Sequence, residues 1–224
     1  MPTGTLVDYV PTIKLFLSHW NSVENTTQTA LVLTNEMTHD GLTDLLERIE
    51  AATATVLTSF NGQQILQSTR QRVQKPVHTM AKQARTSLKG LAGNTDAIGA
   101  LPDIPAVTTN PAKYLPAVRD LADTWARVNA LPQAAVPAAT LPLTIPMDQA
   151  GAIVQKTHGE FVAALGALTA AVDEVASNAQ SLKELRGQRD ALHATARAAL
   201  KLYSPTVKGK LPAGHALLKN LPKL

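Results

Sequence analysis

Six histidines and seventeen carboxylates are the side chains on which this 224-residue chain could build acid–base or metal chemistry, since it has no cysteine. Without thiols there is no disulfide framework, thiolate zinc site, iron–sulfur cluster or cysteine nucleophile. Glu36-Met-Thr-His39 has the Glu-x-x-His spacing of di-iron helical bundles, which sets a carboxylate and an imidazole one helical turn apart. That site needs a second such motif and two further glutamates. The equivalent stretch later in the chain, Pro146–Gln149, supplies neither. Asp120/Asp123 and Asp173-Glu174 are paired carboxylates, but on helix surfaces such pairs are commonplace. His78 and His193 stand at matching places and are flanked by cations with no carboxylate on their stripe, which opposes a bound divalent ion. They read as structural or surface histidines. No glycine-rich phosphate loop, dinucleotide fingerprint, nucleophile elbow or His-Glu-x-x-His occurs. No cofactor, metal or catalytic residue is therefore expected, and the balance is against an enzyme.

The charged side chains are sorted along the chain. Residues 64–92 carry six cations and no anion, and residues 177–224 carry nine cations and two anions, so 15 of the 21 basic residues fall in these segments. On a helical wheel Lys75, His78, Lys82, Arg85 and Lys89 form one stripe, and Arg189, His193, Arg197 and Lys201 form another. Two readings compete: ordinary solvated helix faces, or a surface for nucleic acid, an acidic partner or anionic lipid. Against nucleic acid, no aromatic residue interleaves the stripes. The basic tail (Lys208, Lys210, Lys219, Lys223) also carries Leu211, Leu217, Leu218 and Leu221 and is expected to pack down.

The elements that must position these residues come in two copies. At an offset of 105, Tyr9, Pro11, Trp20 and Val23 fall on Tyr114, Pro116, Trp125 and Val128. These are the chain's only two tryptophans. At an offset of 115, His78, Ala81 and Ala84 fall on His193, Ala196 and Ala199, and both halves close on Leu-Pro. The copies span 1–105 and 106–224. Tyr9, Ile13, Phe16, Trp20 and Val23 are spaced to form one apolar helical stripe. In the second copy Asn110-Pro111 offers an earlier helix start than Pro116.

A second helix is expected from Thr38–Asp40, with Leu42, Leu45, Leu46, Ile49, Thr53, Val56, Leu57 and Phe60 on one face. Asn61-Gly62 then suggests a turn, and a third helix runs over 63–91. The second copy repeats this plan with a weaker break at Ser177-Asn178. Each copy is either three helices or one short helix and one very long one. The hairpin is the expected form because it buries both apolar faces within the copy. Leu31-Val32-Leu33 and Leu141-Pro-Leu-Thr-Ile145 occupy equivalent places and could pair as a minimal two-stranded ribbon. Residues 93–111 read as a linker.

The Leu141-to-Pro146 stretch, the Ala/Leu-rich segment after it, Arg189-Asp-Ala-Leu192, Leu202-Tyr203 and the closing Leu221-Pro222 resemble a class of bacterial all-helical proteins with no assigned activity. The resemblance covers residues 140–224 and, less fully, the first copy. It implies an all-helical fold and brings no catalytic residues.

The expectation is an all-α protein of two tandem, pseudo-symmetric three-helix units packed as one body. No run of about 18 apolar residues occurs, and the N-terminus lacks a secretory pattern, so the expected location is the cytoplasm. The leading function is a non-enzymatic structural or protein-interaction role, self-association included. The alternative is an anion binder acting through Lys75, Lys82, Arg85, Lys89, Arg189, Arg197 and Lys201. A third reading is a small-ligand binder or enzyme with a pocket between the units.

Overall fold

The computed structural model describes residues 9–92, 101–137 and 139–224. The linker expected over 93–111 lies outside the described residues as far as residue 100. Along the chain run α1 (Tyr9–Thr27), α2 (His39–Ala92), α3 (Pro111–Asn129), a 3-10 turn (Gln133–Ala135), β1 (Ile145–Gln149), β2 (Ala152–Lys156), α4 (His158–Lys210) and α5 (Ala216–Lys219). The described chain is mostly helical, with one small antiparallel sheet. No helix among the described residues is long and apolar enough to cross a membrane.

The starts of α3 and α2 fall where the sequence placed them. Asn110 caps α3 by accepting from the Ala112 N–H, and Pro111 takes the first turn, where a missing N–H costs nothing. Pro116 is inside the helix. Thr38 caps α2 through the Gly41 N–H (3.1 Å). Thr157 and Glu160 form a capping box at α4: Glu160 N–H donates to Thr157 Oγ1 (3.2 Å), and Thr157 N–H donates to Glu160 Oε2 (2.8 Å). The Lys156 ammonium first, and then the Thr157 donors, hold the Glu160 carboxyl down at about 2.

The expected three-helix units give way to a different plan. Neither Asn61-Gly62 nor Ser177-Asn178 breaks its helix: α2 is continuous over 54 residues and α4 over 53. A glycine within a helix costs only about 1 kcal/mol against alanine, and the Gln, Leu and Arg residues that follow Gly62 are good helix formers. The decisive cause is where the apolar faces go. Leu42, Leu45, Leu46 and Ile49 of α2 enter one core, whereas Val77, Ala81, Ala84 and Leu88 of the same helix enter another. A hairpin would have had to bury these faces against each other.

Gly62 also supplies a test, because a Cβ there would meet open space. Gly62→Ala should raise stability by about 0.5–1 kcal/mol in urea denaturation. A loss would restore the turn.

Two compact units result, one made by residues up to 61 with 180–224 and the other by residues 62–179. These divisions do not follow the copy boundary near residue 105, and α2 and α4 each pass from one unit into the other. The first unit's core joins Ile13, Phe16, Trp20 and Val23 of α1 to Leu42 and Ile49 of α2 and to Ala199, Leu200, Tyr203 and Val207 of α4. The leucine-bearing tail packs down as its composition predicted: Leu211 is buried, and Leu217, Leu218 and Leu221 lie against this core. The second unit's core joins Val77, Ala84 and Leu88 of α2 to Tyr114, Val118, Leu121 and Trp125 of α3 and to Phe161, Leu165 and Leu168 of α4. In that unit the buried Gln63 amide of α2 donates to the Val175 carbonyl of α4 (3.2 Å), fixing the two helices in register.

The ribbon exists, but with other strands. Residues 31–33 form no strand; Leu31 and Leu33 are buried as core side chains, and a tight turn follows in which Leu33 N–H bonds Met37 O. Instead Ile145–Gln149 pairs with Ala152–Lys156, Ile145 facing Lys156 and Gln149 facing Ala152. Ala150 (φ 53°) and Gly151 (φ 84°) make the two-residue connection, and positive φ at both positions is what a type I′ hairpin turn requires. A two-residue loop closes at far smaller entropic cost than a pairing across more than a hundred residues.

Candidate functional site

Five of the six histidines lie against aromatic side chains, and the sixth, His215, caps α5. Tyr9 of α1 faces His193 of α4 with ring centroids 5.8 Å apart, and Tyr114 of α3 faces His78 of α2 at 6.0 Å. Tyr114 Oη also lies 3.4 Å from His78 Nδ1. His78 and His193 fall in different units, so each of the two matched histidines is spent on a tyrosine within its own unit. A second set of pairs sits at the starts of the long helices. His39 meets the Trp20 ring edge-on at 6.3 Å, and His158 meets Trp125 at 5.6 Å. The sequence carries a signal for these that was missed: Thr38-His39 and Thr157-His158 both precede an apolar stripe beginning at Leu42 and Phe161.

His19 is fixed from both sides. Its Nε2 lies 2.9 Å from the Leu217 carbonyl, so that nitrogen carries the proton and donates, and Nδ1 accepts from Tyr203 Oη at 2.7 Å. No sequence pattern links residues this far apart. Burial, reinforced by the Glu24 carboxylate, pushes the Tyr203 phenol well above its usual range, and burial pushes Tyr114 up to about 12. His78 is lowered by burial first and then by the Lys82 ammonium, both of which favour the neutral imidazole beside Tyr114.

These shifts have a readable sign. A phenol whose folded value is raised contributes stability in full below about pH 10, and the contribution is lost as pH rises through the folded value. Alkaline unfolding of the native protein should therefore steepen above pH ~10. Tyr114→Phe should flatten that slope between 10 and about 12, measured by helical circular dichroism across pH.

The proposed basic stripes are only partly available. Arg85 is half-buried; its Nε donates to the Pro102 carbonyl (2.9 Å) and its guanidinium pairs with Asp103. Arg189 places both Nε (3.0 Å) and Nη2 (2.8 Å) on one oxygen of Asp190. Lys75, Lys82 and Lys89 stay exposed along one face of α2. Arg197 and Lys201 stay exposed on α4 and, with Tyr9, Asp190, His193 and Ala194, line a hollow of about 370 Å³.

Two other hollows lie in the unit of residues 62–179. One, of about 540 Å³, has an apolar lining from Pro76, Met80, Met147 and Ala164. The charged groups on its rim are committed: Lys156 pairs with Glu160 (2.9 Å), Glu160 caps α4, and Asp148 accepts from Gly151 N–H (2.9 Å). The other, of about 460 Å³, is where Asp120 and Asp123 come together, beside Arg127, whose guanidinium donates to Thr124 Oγ1. Asp173 and Glu174 are exposed on α4. Glu36 sits in a turn at φ 63°, and His39 lies against Trp20 and 3.5 Å from Asp40. Among the described residues no three His, Asp or Glu side chains are grouped to hold a metal. No protein-family model, curated protein or solved structure matches the chain.

Proposed function

We propose that the protein is a non-catalytic helical scaffold that works by protein association, with itself included, and that it arose by internal duplication. In this reading α1 with α2 is one copy and α3 with α4 the other, and each copy lends the end of its long helix to its sister. The carrying observation is the fate of the side chains that recur between the halves. Tyr9 and Tyr114 each lie against the matched histidine of the opposite copy, and Trp20 and Trp125 are both fully buried. The recurrent residues are thus spent on joining helices. A duplication that preserved chemistry would instead have repeated a polar constellation.

The test is light scattering over a dilution series, with the immobilised protein used as bait in parallel. The scaffold reading expects masses above the 23.8 kDa of one chain. A protein that remains monomeric throughout and retains no partner removes it.

A second reading, a binder of nucleic acid or another anionic polymer, is favoured by the exposed line of Lys75, Lys82 and Lys89 on α2. The pairing of Arg85 with Asp103 and of Arg189 with Asp190 withdraws two of the cations it counted on. Its test is the salt dependence of oligonucleotide binding, which must weaken as a power of salt concentration and fall further in Lys82→Gln and Lys89→Gln.

A further inference from the structure

We infer that the hollow on α4 binds a small phosphate monoester, independently of the scaffold reading. His193, Arg197 and Lys201 follow one another at four-residue intervals, so they stand on one face of α4 in successive turns. All three line the same hollow, with the Tyr9 ring beside His193 at its edge.

The charge of the hollow is positive for a local reason. Arg197 and Lys201 have no ion-pair partner among the described residues, whereas Asp190, the one carboxylate among the described residues that line it, takes both contacts from Arg189. Asp190 is therefore compensated from outside the hollow, and no described carboxylate pairs with the two cations inside it. Placing two unpaired like charges one turn apart costs helix stability, and an anion between them relieves that cost.

The donors select the anion. A guanidinium fork and an ammonium approach from different turns of the helix, which suits an oxyanion with several oxygens pointing different ways better than a planar carboxylate. The Tyr9 ring and the Ala194 methyl add an apolar wall, which favours an ester with a flat or short body over the bare ion. A volume of about 370 Å³ fits one small molecule.

The corresponding face of α2 does not reproduce the arrangement. One turn after Lys82 stands Thr86, and the nearby Arg85 is held by Asp103 and the Pro102 carbonyl. The site belongs to one unit only.

The experiment is calorimetric titration of the full chain with phenyl phosphate, inorganic phosphate, benzoate and a short single-stranded oligonucleotide, at low ionic strength. Phenyl phosphate should bind saturably with a Kd on the order of 0.1–1 mM, more tightly than phosphate or benzoate. Arg197→Gln and Lys201→Gln should each weaken it about tenfold, and Lys82→Gln should leave it unchanged. Both target residues are exposed, and unaltered circular dichroism and melting of the variants will show that the fold is intact. Absence of saturable binding to the native chain overturns the proposal, as does binding indifferent to both substitutions on α4. Inorganic phosphate or benzoate binding as tightly as the ester overturns it too. Oligonucleotide binding that is tighter than the ester and sensitive to Lys82→Gln overturns it in favour of the polymer reading.

Discussion

Trp125→Ala should cost about 3–5 kcal/mol in chemical denaturation, and Trp20→Ala a similar amount. Both side chains are fully buried, so truncation removes the largest body in each unit's core and leaves a cavity. At Trp125 a hydrogen bond is lost as well, because Nε1 donates to the Leu143 carbonyl at 3.1 Å and that carbonyl is left without its partner. At Trp20 the indole N–H donates to Glu24 Oε1 at 3.0 Å, and the same oxygen accepts from Leu31 N–H at 2.8 Å. Losing the indole there loosens the chain's exit from α1 besides opening the core. Set against the 5–15 kcal/mol typical of a folded domain, either loss is a large share of the whole. In each variant the remaining tryptophan reports by fluorescence on the unit that still holds it. A loss below about 1 kcal/mol at either position would mean that the indole is not where the core places it.

Asn178→Pro should destabilise by about 3 kcal/mol or more and reduce the helical circular dichroism signal. Proline there removes the N–H that bonds one turn back and drives its ring against the carbonyl of that same earlier turn. The cost arises only if α4 runs unbroken from His158 to Lys210. Were Ser177-Asn178 a turn between two helices, proline would be accommodated at little cost. Paired with the expected gain from Gly62→Ala, the substitution tests helix continuity from both directions at the two places where the sequence suggests a break.

The polar centres were legible to different degrees. Tyr9, Tyr114, His78 and His193 were all singled out by their recurrence, yet the sequence offered no means of joining tyrosine to histidine. Their offsets differ, and each pair joins helices distant along the chain. The hollow on α4 follows the same logic. Arg189, Arg197 and Lys201 read as one stripe, but the Asp190 contact that neutralises Arg189 and leaves Arg197 and Lys201 without an ion-pair partner among the described residues is a matter of side-chain placement.

What the amino-acid order settles is local. The caps at Asn110 and Thr38, the apolar stripe of Tyr9 to Val23 and the absence of thiols all act within a few residues, where backbone sterics and helical periodicity leave few choices. What the tertiary structure decides is partnership. Whether the face of Leu42 to Ile49 folds back on Val77 to Leu88 or meets other helices depends on which surfaces are left to cover it, and those come from α1 and from the far end of α4. An apolar stripe states that it must be buried but not against what, so the long continuous helices and the pairing of strand 145–149 with its immediate neighbour emerge only when the whole chain is packed.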